Sequence, residues 1–342
     1  MTNTDARYAP TVINNYSAYI IVQDLNSAST APSDNPALVA NQALTTGANG
    51  TAATGANIVT ALSNLDTIEQ SLVLNIPGYT DATTVNGAIS YAVGRGDVFV
   101  VVDGVADTVA NALSLAATYT ASSQAAVYYP PLVIADPTAA VGAPTGSTKT
   151  VGAGPAVVGL YAATDASRGV FKAPAGIQAR LAGVVSVASL SNADLDSLNS
   201  AAAPINAIKY VPGSGIVVYG ARTLKAGYVD RYVPVRRTLI YLEKSLKDLT
   251  RFAVFEPNDQ RLWTRLDATI SSFLTAFWSQ GGLFGNTPGQ AYFVKVDADN
   301  NTQASIDNGI VNIQVGVALQ RPAEFVVISI GQYSGGTTVT VA

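Results

Sequence analysis

The chain has 342 residues, 48% hydrophobic and only 12% charged, with 19 basic against 23 acidic side chains (net −4) and neither cysteine nor histidine. Charge at about half the usual share points to a surface covered by something else, and the acidic balance lacks the basic footprint of a nucleic-acid binder. The two missing residue types remove disulfides, Ser-His-Asp and Cys-His machinery and the ordinary zinc sites.

The segment Met1-Thr2-Asn3-Thr4-Asp5 has no charged stretch leading into an apolar one, so no secretory signal is expected. No apolar run reaches the roughly 18–20 residues that cross a bilayer. These features predict a protein made and assembled in a cytoplasm, with no direct membrane insertion. Tyr19-Ile20-Ile21-Val22 reads as one strand, and residues 26–57, rich in Ala, Ser, Thr, Gly and Asn, read as loop.

From residue 58 helices and strands alternate. Ile58, Leu62, Leu65 and Ile68 recur at helical spacing and lead to the apolar run 72–74. A second helix ends near Gly94, and residues 98–102 follow as a buried strand. Another Ala/Leu-rich helix precedes a strand at 126–129, which Pro130-Pro131 terminates. Continuous apolar strands between helices imply a sheet covered on both faces. Residues 136–154 read as a Pro/Gly/Thr-rich loop, Pro155 opens a helix through about Asp165, and 216–219 is a further strand.

Two helices stand out beyond that. Across 236–252, Leu239, Leu242, Leu246 and Leu249 make an apolar stripe. Opposite it lie Arg237, Lys244, Lys247 and Arg251, with Asp248 among them at i+4 from Lys244. That side reads either as a solvated helix face or as a docking strip for an acidic partner. The second helix has Asn258 as N-cap, a buried face of Leu262, Leu266, Ile270, Phe273 and Phe277, and a stop at Gly281-Gly282. Strands are predicted at 292–296, 310–317 and 325–330. The final alternating segment Thr337-Thr338-Val339-Thr340-Val341 reads either as an edge strand of its own domain or as an arm that pairs with another subunit's sheet edge.

Motifs for small ligands do not hold. In residues 142–150 Ser147 and Thr148 separate Gly146 from Lys149, which breaks the phosphate-loop spacing. Asp297, Asp299 and Asn301 have calcium-loop spacing, but Thr302 and Asn308 stand where Gly and Glu are needed, so an Asx-stabilised turn is expected. Nothing nominates a catalytic, cofactor or metal residue.

Several stretches resemble the contractile tail sheath family. Tyr128-Tyr129-Pro130 leading to Asp136-Pro137 is similar to its "YYPW…DP" segment, and GLYAATDASRGVFKAPAG at 159–176 to its "G-x-Y-A-R-T-D-x-x-R-G-V-W-K-A-P-A-G" signature, with Ala163 for Arg and Phe171 for Trp. Gly215-Ile216 through Gly220-Ala221-Arg222-Thr223-Leu224 resembles "GI-x-x-W-G-A-R-T-L", with Tyr219 for Trp. Tyr232-Val233-Pro234-Val235-Arg236-Arg237, Phe255-Glu256-Pro257-Asn258 with Leu262-Trp263, Asn300-Asn301-Thr302 through Asp307-Asn308-Gly309, and Pro322-Ala323-Glu324-Phe325 continue the match in family order. The family's N-terminal "P-G-V-Y-x-x-E" arm has no counterpart in residues 1–24, so this chain is expected to be a short or divergent member or to lack an N-terminal part.

The resemblance implies an α/β (mixed α+β) fold, a sheath-type core with helices packed on mixed sheets and an extended C-terminal β arm. It divides the chain into a loop-rich segment at 1–57, a core at 58–330 with two subdomains parting near 136–215, and an arm at 331–342. It implies a structural, non-enzymatic subunit of a virion tail. Such subunits form stacked six-fold rings around an inner tube protein, meet baseplate and tail terminator proteins, and contract to drive the tube through an envelope. Under it, Arg237, Lys244, Lys247 and Arg251 face the tube and residues 337–341 form the inter-subunit arm, while Gly169, Pro174 and Gly176 shape a backbone turn. A bacteriocin, type VI-like or extracellular injection sheath is the nearest alternative; an α/β enzyme using carboxylate or lysine chemistry is a remote one.

Overall fold

The computed structural model describes residues 9–22, 52–105, 108–139, 144, 146–227 and 230–324. The chain divides into two units, 1–52 and 53–342. In the first, helix α1 (Ala9–Tyr16) buries no residue. The strand expected at 19–22 is not formed. Asn14 instead clasps Val22 by both its backbone groups, at 2.6 and 2.7 Å, which spends the amide and carbonyl a sheet would need.

In the second unit, α2 (Gly55–Ala61) begins earlier than expected because Thr54 and Asn57 form a capping box. A 3₁₀ turn (Leu62–Thr67) then leads to β1 (Leu72–Leu74), α3 (Ala82–Arg95), β2 (Val98–Asp103), α4 (Val109–Ala116) and β3 (Ala125–Tyr129). Beyond come β4 (Leu132–Ala135), β5 (Thr148–Val151), α5 (Gly154–Arg168), β6 (Val184–Val187), α6 (Asn192–Ser200), β7 (Ile205–Val211) and β8 (Gly215–Val218). The main sheet has the order β1-β2-β3-β7-β8, parallel from β1 to β7 with β8 antiparallel.

Every residue of β2 and β3 is buried, as the apolar runs 98–102 and 125–129 require of strands covered on both faces, with Asp103 a buried carboxylate at the end of β2. The period of two separates the faces. Val98, Val100, Val102, Ala125 and Val127 pack with α3, α4 and Leu198 of α6. Phe99, Val101, Ala126 and Tyr128 pack with Val157 and Tyr161 of α5 and with Val233 and Ile240. Those last two belong to α7 (Val233–Leu249), whose Leu242 enters a third apolar cluster with Ile270, Leu274 and Phe277 of α8 (Gln260–Ser279). The chain ends its described part with α9 (Pro288–Ala291), β9 (Tyr292–Lys295), α10 (Gln303–Asp307) and β10 (Gln314–Val317), β9 and β10 forming an antiparallel pair.

Helices on mixed sheets are present as expected, with local corrections. Residues 136–154 are not all loop: β5 pairs with β4, and β4 with β6, in a three-stranded antiparallel sheet. Polar β5 (TKTV) lacks the apolar run that marks a strand, so only pairing reveals it. The N-cap of α8 is Asp259, which accepts from the amides of Arg261 and Leu262. Asn258 instead accepts from the Trp263 indole at 2.8 Å. Leu274 rather than Phe273 is fully buried on α8. The strand expected at 310–317 is confined to 314–317. Asp297, Asp299, Asn300 and Asn301 form the expected Asx turn, Asp297 accepting from the amides of Asp299 and Asn300. The strand predicted at 325–330 and the arm at 331–342 lie outside the described residues.

Candidate functional site

The four basic residues are not equivalent: the helix expected over 236–252 ends at Leu249, so Arg237, Lys244 and Lys247 lie on α7 and Arg251 on the 3₁₀ turn that follows. Arg237 lies where α7 passes beneath the main sheet and is buried. Its guanidinium forks onto Asp165 of α5 at 3.0 and 2.5 Å and lies 4.5 Å above the Tyr161 ring. Tyr161 in turn shares a 2.5 Å hydroxyl contact with Tyr128 of β3. Arg237 therefore fastens α7 to α5 and is removed from any exposed basic strip, although a helical projection places it beside Lys244 and Lys247.

Two turns further on, the same side of α7 reaches solvent. Lys244 pairs with Asp248 at 3.5 Å, and Arg251 lies 3.1 Å from Asp248 and 2.9 Å from Glu69. Arg251 holds the Glu69 carboxyl below the usual carboxylate range. Two cations and two carboxylates thus largely cancel, and Lys247 has no ion-pair partner among the described residues. Of the four predicted residues Lys247 and Arg251 are exposed here, while the Lys244 side chain is only 16% exposed and Arg237 is buried. The predicted arm residues Thr337, Thr338, Val339, Thr340 and Val341 lie outside the described residues.

A second constellation lies at the last described turn. Arg222 Nε meets Glu324 Oε1 at 2.9 Å and its Nη2 meets Oε2 at 2.5 Å, while Nη1 donates to the Asn199 carbonyl at 2.8 Å. The Tyr232 hydroxyl adds a 3.3 Å contact to Glu324. Glu324 raises the Arg222 pKa, chiefly through these hydrogen bonds. Buried Asn206 of β7 sets the backbone of Arg222 by accepting from its amide at 2.7 Å and donating to its carbonyl at 2.8 Å. Gly220 must be glycine here, because a Cβ would lie 2.9 Å from the Asn206 Cα. Three stretches singled out in the sequence, at 220–224, 232–237 and the described part of the last one, 322–324, converge on this clamp. The pairing itself spans 102 residues and leaves no signal in sequence spacing.

Sheet edges are the other features suited to assembly. At β8 the chain covers its own edge: Gly176 and Leu181 donate to Val218 and Ile216, and Val218 donates to Ala179. Among the described residues, β1 ends the main sheet on the other side, and β9 and β10 pair with no third strand. Exposed edges of this kind accept added strands. Among the described residues no group of three or more Asp or Glu side chains is arranged to hold a metal ion, and no helix is long and apolar enough to cross a membrane.

Comparison with known proteins gives consistent likenesses. Residues 231–332 match the phage tail sheath C-terminal domain. The tail sheath protein of Vibrio phage KVP40 is 28% identical over 177 residues, 51% of this chain and 25% of that protein, so the match spans about a quarter of the curated relative. A chain of the PVC sheath complex, an extracellular contractile injection system in its contracted state, is 33% identical with a TM-score of 0.71 over 80% of this chain and 74% of that one. A chain from the six-fold symmetrised anti-feeding prophage baseplate is 32% identical with a TM-score of 0.69 over 81% and 73%.

Proposed function

This chain belongs to the contractile tail sheath family, and on that premise we propose that it is a structural subunit working by assembly rather than by catalysis. Its copies stack as six-fold rings around an inner tube protein, and the sheath shortens to drive the tube through a target envelope. The energy then resides in subunit contacts that improve on contraction, a shift between two packings of one chain. Baseplate and terminator proteins bound the stack, which is assembled in the host cytoplasm as part of a tail.

One observation in this chain carries the reading furthest. Glu324 is pinned to Arg222, so residues 325–342 leave a braced point of the core. That is the mechanical requirement of an arm that must transmit force between subunits. Within this reading residues 1–57 and 331–342 are connecting segments around a core of 58–330. Thr337 to Val341 add as a strand to an edge such as β1 or the β9–β10 pair of a neighbour. The tube-facing strip contracts to Lys244 and Lys247 of α7 and Arg251 of the 3₁₀ turn that follows it. A second reading, the sheath of an extracellular injection system rather than a phage tail, is favoured by the higher identity to the PVC chain.

Electron microscopy of the purified protein, alone and with co-expressed inner-tube subunit, tests the reading. Hollow cylinders with six-fold rings are expected with the tube subunit. Dispersed monomers in both samples would overturn it.

A further inference from the structure

Phe255 is the one non-glycine residue with positive φ (+68°) among the described residues, and its side chain stands fully in water. A bulky side chain in the left-handed region is costly, and water exposure adds no compensating contact. Its frame is nonetheless rigid. On one side the 3₁₀ turn Arg251–Ala253 closes with Glu256 donating to Ala253. On the other, Asn258 is tied to the Ile310 carbonyl and the Trp263 indole. Val254, Glu256 and Pro257 beside it are also exposed, and Glu256 has no ion-pair partner among the described residues. A rigid aromatic next to a free carboxylate is the form of a preorganised binding anchor.

The same chain carries a matching socket. A cavity of about 710 Å³ opens beside the Arg222 clamp, with Phe171, Ala173, Ala221 and Pro322 among its apolar walls. Lys172, Lys209 and Arg321 line it, and none of them is in an ion pair among the described residues. Lys209 lies over the Tyr219 ring at 4.0 Å, and Lys172 donates to the Ala173 carbonyl. Of the cavity's two carboxylates Glu324 is occupied by Arg222, which leaves Asp196 against three cations.

We propose that Phe255 and Glu256 of one subunit insert into this cavity of a second copy of the chain, the phenyl ring against the apolar wall and the carboxylate among Lys172, Lys209 and Arg321. Knob and socket are different surfaces of one molecule, so the contact is head-to-tail and propagates, as a stacked lattice requires. The inference rests on the sheath reading and adds to it a named contact.

The absence of cysteine allows a direct test. A chain carrying Phe255→Cys and Lys209→Cys, assembled into cylinders and treated with a short bis-maleimide, is expected to give a ladder of linked subunits that neither single variant gives. Cylinders without the ladder, or Phe255→Cys linking to the tube subunit instead, would overturn the proposal. Phe255→Gly separates interface from fold: the monomer should melt higher, because glycine relieves the positive φ. Meanwhile the protein concentration needed for cylinders should rise about tenfold or more. Glu256→Lys should weaken assembly, and Lys209→Glu in the same chain should restore it. Assembly unchanged by Phe255→Gly sinks this inference alone, whereas a wild-type chain forming no cylinders sinks the sheath reading with it.

Discussion

Arg222 and Glu324 meet as a forked ion pair across 102 residues of chain, both side chains largely shielded from solvent. The geometry is bidentate, and the third guanidinium nitrogen is spent on Asn199, so little freedom remains at the point where residues 325–342 begin. Arg222→Ala is expected to cost about 1.5–3 kcal/mol in urea unfolding, the range for hydrogen bonds to charged groups. Arg222→Lys should recover only part of this, because an ammonium cannot fork. Exchanging the two residues, Arg222→Glu with Glu324→Arg, should recover more than either single change. A double-mutant cycle showing no coupling would remove the clamp from the account.

Along α7 the structure predicts opposite consequences for two arginine and lysine positions of the same face. Arg237→Ala leaves the part-exposed Asp165 without its partner and should destabilise the fold by about 1.5–3 kcal/mol, the range for hydrogen bonds to charged groups. Lys247→Glu breaks no ion pair among the described residues and should leave the melting temperature nearly unchanged. If this end of α7 meets the tube, Lys247→Glu should impair assembly on it, more at low salt than at high. Equal assembly at both salts would turn α7 away from the tube.

Asp103, buried at the end of β2, holds three segments together. It accepts from the first amide of α5 at Gly154 (2.6 Å), from the Gly78 amide (3.2 Å) and from the Asn75 side chain (3.5 Å). Asp103→Ala should cost about 1–3 kcal/mol by stranding those donors. Gly154→Ala should also destabilise, because its Cβ would lie 2.4 Å from the carboxylate. Chemical denaturation of both variants measures this.

Deleting residues 337–342 should leave the core's unfolding transition in place, because the apolar clusters that hold the core are built from residues between Leu62 and Leu319. Subunit linkage should weaken, seen as shorter or absent cylinders by electron microscopy. Unchanged assembly would remove the arm role from this segment.

Asp81 caps α3 by accepting from the Thr84 amide at 2.8 Å, which holds its carboxyl below the usual value, as Arg251 does for Glu69. For a carboxylate depressed by folding, the stabilisation is present above the unfolded pKa of about 4 and is lost as pH falls through the lower folded value. Wild type should therefore exceed Asp81→Asn in urea midpoint at pH 6, and the difference should shrink below about pH 4. A gap that stays constant down to pH 3 would contradict the cap.

Sequence by itself determined the covered sheet through apolar runs such as 98–102, and it determined most of the buried face of α8 through its 3.6-residue period. On α7, by contrast, only Leu242 of the four stripe leucines is fully buried, with Val233, Val235 and Ile240 beside it. Sequence also ordered the motifs that mark the family, and by lacking cysteine and histidine it left out the chemistry that needs those side chains. Local pattern could not reveal β5, whose polar residues become a strand only when β4 supplies hydrogen-bond partners. Nor could it separate Arg237 from Lys247, because helical periodicity fixes direction around an axis but not what lies opposite each turn. The Arg222–Glu324 clamp, the Asp103 junction and the cavity beside Phe171 all join residues far apart in the chain. Charge and hydrogen bonding act through space over a few ångströms, so only the tertiary structure decided which of these groups meet.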